Sequence, residues 1–150
     1  MNLSKTQEEY LKTIYLLQGE KNKARVTDIA KRLNKAKATV NYTVTNLKKL
    51  GLINYETYGE ISLTEEGTKL AKKILEAYDI VYLFLSEILE VDSSKVEEEA
   101  SKIKATINDE TLNKLAKYTH KTLGLYSLEC GYDINNEKCL SCVRRTTNKF

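Results

Sequence analysis

Residues 25–63 carry the pattern that most restricts the fold of this chain, because two amphipathic segments there precede two short β-prone ones. The first segment begins near Thr27, whose hydroxyl can cap a helix, and ends before a polar break at residues 34–37. The second covers about residues 38–50 and ends at Gly51, where a left-handed C-terminal residue is expected. The apolar positions of the second segment, spaced by four, three and three residues, are Val40, Val44 and Leu47, with Leu50 as a further candidate. This stretch therefore predicts two short helices joined by a turn, the second with one buried stripe.

The β-prone segments, residues 52–55 and 60–63, flank Tyr58-Gly59, a dipeptide that favours a hairpin. Two helices, a turn and a β-ribbon form the order of a winged helix-turn-helix, whose second helix enters the DNA major groove. An ordinary helical hairpin with a solvated polar face is the alternative interpretation. The pattern favours the DNA-binding interpretation, because the exposed faces of the second helix combine lysines with hydroxyls, an amide and a phenol.

The predicted DNA contacts lie on and around this second helix and on the hairpin. Lysine and arginine side chains there suit phosphates, and hydroxyl, amide and phenol groups suit base edges. We expect Lys37 to contact a phosphate, and Asn41 and Tyr42 to contact bases. The complete predicted set is Arg25, Thr27, Lys35, Lys37, Thr39, Asn41, Tyr42, Thr45 and Tyr58.

The net charge of +3 hides a segregation that supports this interpretation. Residues 1–75 hold 14 Lys and Arg against 8 Asp and Glu, and residues 76–110 hold 3 against 10. Residues 111–150 hold 7 against 3. The basic first half contains the predicted DNA contacts, so its field attracts a polyanion to that part of the molecule.

Composition and motifs narrow the class of protein. No apolar run approaches the roughly 20 residues that a membrane helix needs, and the N-terminus lacks the apolar region of a signal peptide, so we expect a cytoplasmic protein. The chain has one histidine, no nucleophile elbow and no glycine-rich phosphate loop, so we do not expect an enzyme.

The rest of the chain is predicted to be helical, which makes the fold mainly α. A first helix over residues 4–18 begins with a capping box formed by Ser4 and Gln7 and ends at Gly19. A long helix runs from a cap at Thr64 to about Leu89. Two further helices follow, over about residues 95–105 and from Asn108 or Asp109 to near Gly124.

The long helix is almost entirely apolar over residues 80–85, which we interpret as a dimer interface. The predicted domains are a winged helix-turn-helix DNA-binding domain over residues 1–63 and a helical dimerisation domain over residues 64–124. Residues 125–150 form a cysteine-containing tail.

Four stretches resemble the metal-dependent repressors of the diphtheria-toxin-repressor and manganese-transport-regulator family. They are EEYLKTIY at residues 8–15, RVTDIA at 25–30, LKKLGLI at 47–53 and LTEEG at 63–67. The likeness extends from about residue 7 to residue 115. It implies a DNA-binding transcriptional regulator, a homodimer formed by the helices after the wing, and a palindromic operator.

The metal ligands that the resemblance implies are mostly replaced here. Family members bind Mn(II) or Fe(II) through His, Glu, Asp and Cys side chains, of which Glu9 is retained. The other ligand positions hold residues unsuited to a divalent cation: Lys12, Tyr78, Tyr82, Ser101, Lys104 and Ala105. Because an ammonium group offers no lone pair, we expect the usual manganese or iron site to be absent and Glu9 to be a surface carboxylate.

Three cysteines with C-x8-C-x2-C spacing lie in the tail: Cys130, Cys139 and Cys142. In a cytoplasmic protein this spacing suggests metal binding, and three thiols without an obvious fourth ligand slightly favour an iron–sulfur cluster over Zn(II). His120 is a candidate fourth ligand, although a capping or surface role is the stronger expectation for it. Three reduced thiols and a thiol redox switch remain open alternatives.

These observations predict a homodimeric, sequence-specific regulator of transcription, a repressor by resemblance, that binds a palindromic double-stranded DNA operator. Its signal is expected to enter through Cys130, Cys139 and Cys142, with an iron–sulfur cluster or Zn(II) as the cofactor. The alternatives are a ligand-independent DNA-binding protein, or a conventional Mn(II)- or Fe(II)-dependent repressor with an unrecognised site.

Overall fold

The computed structural model describes residues 2–56 and 59–124. These residues form six α-helices, one π-helical turn and a two-stranded antiparallel sheet. In chain order the elements are α1 (Lys5–Lys21), α2 (Val26–Leu33), α3 (Lys37–Lys49), β1 (Ile53–Tyr55), β2 (Ile61–Leu63), α4 (Glu65–Leu83), the π-helical turn (Phe84–Ile88), α5 (Ser93–Thr106) and α6 (Asp109–Thr122). The predicted fold class, a mainly helical chain with an N-terminal winged helix-turn-helix followed by a helical domain, is confirmed.

The chain divides into two compact units, Met1–Ile74 and Leu75–Phe150. In the first unit, α1, α2 and α3 pack together with the small sheet around one hydrophobic core. In the predicted stripe of α3, Val40, Val44 and Leu47 are completely buried in that core, whereas the further candidate Leu50 is 41% exposed because it lies just after the end of the helix. Other fully buried members are Tyr10, Leu11, Ile14 and Ile29. The buried stripe orients α3, so that its polar faces are left for solvent or for a partner.

The first helix begins as predicted and ends later than predicted. The Ser4 hydroxyl accepts from the Gln7 N–H at 3.2 Å, and the Gln7 side chain accepts from the Ser4 N–H at 2.9 Å. The helix passes through Gly19, which was expected to end it, and stops at Lys21. Asn22 then takes the left-handed conformation, with φ 61°, which asparagine tolerates better than most residues.

The predicted cap of α2 is wrong, because Thr27 lies inside the first turn of the helix and not before it. The residue before the helix is Arg25, whose backbone N–H donates to the Asp28 carboxylate at 3.2 Å. The end of α3 agrees with prediction, since Gly51 has φ 74°. A glycine suits this position because it adopts positive φ without a side-chain clash.

The predicted hairpin is present, with Ile53 opposite Leu63 and Tyr55 opposite Ile61 in an antiparallel register. The segment between α1 and α2 joins it, because the Ile61 N–H donates to the Ala24 carbonyl at 2.7 Å. This bond connects the wing to the chain just before α2. It therefore positions the wing beside the helix-turn-helix.

In the second unit, a side chain caps the start of both α5 and α6. The Asp92 side chain accepts from the Ser94 N–H at 2.9 Å before α5, and Asn108 accepts from the Thr111 N–H at 2.8 Å before α6. Gly124 follows α6 with φ 73°. No helix in the described part of the chain is long and apolar enough to cross a membrane.

Burial in the second unit differs from two expectations. Part of the apolar run over residues 80–85, interpreted from the sequence as a dimer interface, is covered within one chain, because Ile80, Val81 and Leu85 are buried in a core with α5 and α6. His120 is not a surface residue, because only 3% of it is exposed.

Candidate nucleic-acid interface

The outer surface of α3 is polar, basic and open. Tyr42 is 72% exposed, an unusual exposure for an aromatic side chain without a partner. No side chain caps the first turn of α3, and no acidic residue lies in that turn. The helix N-terminus therefore retains its positive dipole end, which favours an anion.

The lysines around α3 are available to a polyanion. Some basic side chains elsewhere in the first unit are paired with carboxylates, as in the bidentate bond between Arg32 and Glu20 at 2.9 and 3.1 Å. Within residues 2–56 and 59–124, no carboxylate forms an ion pair with Lys35, Lys37 or Lys49. Binding a phosphate through these lysines would therefore break no described ion pair.

The helical period places the exposed residues of α3 on distinct faces. Opposite the buried stripe lies a central face that carries Ala38, Tyr42, Thr45 and Lys49. One flank, formed by Lys37, Asn41 and Lys48, lies on the side of the wing, as the bonds of Asn41 and Lys48 to β1 show. The predicted contact Thr39 is exposed on the opposite flank.

Tyr55 connects the wing to this flank, and sequence analysis did not single it out. Its hydroxyl donates to Asn41 Oδ1 at 2.6 Å, and its carbonyl accepts from Lys48 Nζ at 2.7 Å. Tyr55 is 9% exposed. The sequence feature that could have indicated Tyr55 is its alternation with Ile53, which places both residues on the inner face of the strand. No local pattern predicts its bond to a residue fourteen positions earlier.

A groove of about 260 Å³ opens between the start of α2, the start of α3 and the wing. Its lining residues are Arg25, Val26, Thr27, Lys37, Asn41, Tyr55 and Gly59. The groove thus brings together four of the predicted DNA contacts, namely Arg25, Thr27, Lys37 and Asn41. It contains two cations, a hydroxyl and an amide, and no carboxylate lines it among the described residues.

The remaining predicted contacts are placed as follows. Thr45 is exposed, and its hydroxyl donates to the Asn41 carbonyl at 2.7 Å, which leaves its oxygen able to accept from a base. Arg25 lies 3.9 Å from Glu60. A shorter bond from Lys23, at 2.9 Å, lowers the pKa of the exposed Glu60 carboxyl. Tyr58 lies outside the described residues.

Most positions that hold metal in the resembling family carry side chains here that are poor ligands for a divalent cation. The rings of Tyr78 and Tyr82 are 6.0 Å apart and tilted by 39°. Burial, followed by the nearby Glu97 carboxylate, raises the pKa of Tyr78 to about 12. A phenol with this pKa is neutral at physiological pH and is a poor ligand. Ser101 is exposed and Ala105 offers no donor atom.

The other positions agree with this conclusion. Glu9 is exposed and Lys12 is half-buried on α1, and Lys104 places a second cation among the ligand positions. In the described part of the chain, no three His, Cys, Asp or Glu side chains come together as a metal site requires. The donor groups present therefore do not fit the Mn(II) or Fe(II) site of the family. The predicted ligands Cys130, Cys139 and Cys142 lie outside the described residues.

Comparison with protein families gives two consecutive matches. Residues 2–61 match the N-terminal DNA-binding domain of the iron-dependent repressors. Residues 64–122 match the metal-binding and dimerisation domain of the same proteins. The two matches cover the two types of domain expected from the sequence.

Individual relatives point the same way. The chain is 38% identical over 120 residues to an uncharacterized HTH-type transcriptional regulator of Methanocaldococcus jannaschii, covering 79% of this chain and 96% of the relative. It is 30% identical over 109 residues to the HTH-type transcriptional regulator MntR of Lysinibacillus sphaericus, covering 73% of this chain and 78% of the relative.

A solved structure shares the fold. T. acidophilum IdeR matches with a TM-score of 0.68 and 24% identity, over 83% of this chain and 55% of that one. This chain therefore spans about half the length of that solved protein.

Proposed function

Because the chain belongs to the family of iron-dependent repressors, we propose that it is a homodimeric regulator that represses transcription by binding a palindromic double-stranded operator. The family consists of transcriptional regulators and not of enzymes. In this proposal residues 1–63 bind DNA, residues 64–124 form the dimer and residues 125–150 carry the signal. The protein would act in the cytoplasm, where we expect its operator.

The observation that carries the proposal is the outer surface of α3. It presents Tyr42 and Thr45 on a central face, Lys37 on the flank next to the wing, and a helix N-terminus without a capping side chain. In winged helix-turn-helix proteins this surface faces the base pairs, and lysines along it contact phosphates. Two copies in a symmetric dimer would contact two half-sites, as a palindrome requires.

DNA binding can be tested by selecting duplexes from a random library and measuring affinity for them by fluorescence anisotropy at several salt concentrations. We expect an enriched palindrome and an affinity that falls steeply with salt. The variant Lys35→Glu/Lys37→Glu should lose most of this affinity.

A matched control, Lys114→Glu/Lys117→Glu, makes the same charge change on the exposed surface of α6 and should bind nearly as well as the wild type. Equal losses in both variants would mean that α3 is not the DNA-binding surface. A wild-type protein without salt-sensitive attachment to any duplex would refute the proposed function.

We further propose that the signal enters through Cys130, Cys139 and Cys142. Two arguments support this proposal: the C-x8-C-x2-C spacing in the sequence, and the unsuitable donor groups at the ligand positions of the family. Three thiolates could hold an iron–sulfur cluster with a fourth ligand from elsewhere, or Zn(II) with one further ligand. This proposal concerns the chemistry of the ligand set and assigns it no geometry.

Anaerobic purification followed by analysis of iron, acid-labile sulfide and zinc tests the signal. Iron with sulfide supports a cluster, and zinc alone supports a zinc site. The absence of both metals would contradict both kinds of site. The variant Cys139→Ser/Cys142→Ser should lose the metal and any metal-dependent change in DNA affinity, while its basal DNA binding stays unchanged.

Two alternatives remain distinguishable. Ligand-independent DNA binding is favoured by the Tyr78–Tyr82 pair at the ligand positions of the family, and it predicts that wild type and the cysteine variant bind DNA equally under all conditions. A conventional Mn(II)- or Fe(II)-dependent repressor predicts that added Mn(II) tightens DNA binding even in the cysteine variant.

A further inference from the structure

We propose that Asn41 contacts a DNA backbone phosphate and not a base edge, and that the wing residue Tyr55 is a positioning residue that holds the Asn41 amide for this contact. The inference rests on the proposed DNA-binding function. It assigns a different role from the one that the residue type alone suggests, since an asparagine on a recognition helix is a typical adenine-binding residue.

The first support is the hydrogen bond between the two side chains. At 2.6 Å, the bond from the Tyr55 hydroxyl to Asn41 Oδ1 lies at the short end of the range for O–H···O bonds. The second bond, from Lys48 Nζ to the Tyr55 carbonyl at 2.7 Å, fixes the backbone of the same strand to α3. With its oxygen accepting from Tyr55, the amide presents its Nδ2 donors, and a phosphate is a pure acceptor.

The second support is the composition of the groove that Asn41 lines. Lys37 and Arg25, whose guanidinium also lies 3.9 Å from the Glu60 carboxylate, place two positive charges there, and Thr27 adds a hydroxyl. Cations, a hydroxyl and an amide donor around one groove without a described carboxylate suit a single phosphate group.

The third support is the position of Asn41 on its helix. Asn41 shares a flank with Lys37 and Lys48 and lies next to the wing, whereas Tyr42 and Thr45 lie on the central face opposite the core. When a recognition helix lies in the major groove, its central face points to the bases and its flanks pass the sugar–phosphate backbone. On this basis Tyr42 and Thr45 contact bases, and Asn41 does not.

The test measures affinity for the selected operator and for a set of duplexes with every single base change in one half-site. We expect Asn41→Ala to lower affinity for all duplexes by a similar factor, about tenfold, because a charge-assisted hydrogen bond is lost. Tyr55→Phe should give a smaller uniform loss, about threefold, because Asn41 is still present but no longer held. Tyr42→Ala should change the base preference, which shows that the assay detects base contacts.

Asn41→Asp separates the two roles most sharply. The aspartate still accepts from Tyr55 but has no N–H donors and carries a negative charge. If residue 41 contacts a phosphate, Asn41→Asp should weaken binding to every duplex by more than Asn41→Ala does. If residue 41 contacts a base, Asn41→Asp should create a preference for cytosine at one position, since carboxylates accept from the cytosine amino group.

Neutral methylphosphonate replacements, one phosphate at a time, provide an independent measurement. At one phosphate in each half-site, the replacement should weaken wild-type binding and leave Asn41→Ala binding almost unchanged. Thermal melting of each variant identifies losses caused by unfolding.

A changed base preference in either Asn41 variant would overturn the assignment while leaving the proposed function intact. The same holds if the loss from Asn41→Ala and the loss from the methylphosphonate add at every phosphate. A wild type that binds no duplex would refute the proposed function and this assignment with it.

Discussion

A Cβ atom added to Gly67 would overlap the carbonyl oxygen of Leu52. That oxygen accepts the Thr64 N–H at 3.0 Å, and the Thr64 hydroxyl accepts from the Gly67 N–H at 3.1 Å and donates to the Gly51 carbonyl at 2.8 Å. The start of α4 is thus bonded directly to the turn that ends α3. The glycine is needed for close approach of two backbone segments, and its φ is not in the left-handed region.

Gly67→Ala should therefore destabilise the first unit. The backbone oxygen cannot move without losing its bond to Thr64, so we expect a loss of about 1–3 kcal/mol in the free energy of unfolding, as for an overpacked core. Gly19→Ala is the matched control, since a Cβ there meets no atom within 4 Å. It should raise the free energy of unfolding by about 0.5–1 kcal/mol, because alanine is the better helix former. Urea denaturation followed by circular dichroism measures both, and equal effects would contradict the steric argument.

Thr64→Ala should cost about 1 kcal/mol of unfolding free energy, since the helix cap and the bond to Gly51 are both lost. Thr64→Ser retains the hydroxyl and should cost only a few tenths of a kcal/mol. Urea denaturation measures the free energy of unfolding of both variants. Similar losses in the two variants would show that the methyl group, and not the hydroxyl, stabilises the start of α4.

Lys37→Ala should reduce the dependence of DNA affinity on salt. Removing one phosphate contact lowers the slope of log affinity against log salt by about 0.9 for each subunit on B-form DNA. Because no described carboxylate pairs with Lys37, the melting temperature should not change. Lys114→Ala removes a lysine that instead pairs with Glu110, at 3.2 Å, and it should leave the slope unaltered. A slope that is insensitive to Lys37 would place the phosphates elsewhere.

Burial of His120 makes stability sensitive to mild acid. Loss of hydration lowers the pKa of this side chain below its ordinary value of 6.5, so the unfolded chain takes up a proton at a higher pH than the folded chain. The contribution of the neutral His120 side chain to the free energy of unfolding is complete above pH 6.5, and it declines as the pH falls towards the lowered pKa. We expect the free energy of unfolding to decrease on acidification below pH 6.5.

His120→Gln should remove this decrease just below pH 6.5, where carboxylates do not yet titrate strongly. Because His120 is the only histidine, no other imidazole contributes to the difference between the two proteins. Parallel pH profiles for wild type and variant would mean that the imidazole gains no proton on unfolding in this range.

Local features were predictable from the sequence because their chemistry acts over a few residues. The box at Ser4 and Gln7, the cap at Thr64 and the left-handed Gly51 each need only neighbouring backbone groups. The buried stripe of α3 follows from helical period alone. Distant contacts were not predictable: nothing near Tyr55 in the sequence indicates that its hydroxyl meets Asn41. The burial of Ile80, Val81 and Leu85 depends on how α4, α5 and α6 pack, which periodicity does not determine.

The bond between Tyr55 and Asn41 also limits how this protein can be re-engineered. A chimera that takes α3 from another regulator, without an acceptor at position 41, would leave a phenol on a mostly buried tyrosine without its partner, at a cost of about 1–3 kcal/mol. It would also remove one of the described hydrogen bonds that join the wing to α3. A stable chimera must therefore exchange α3 and β1 together.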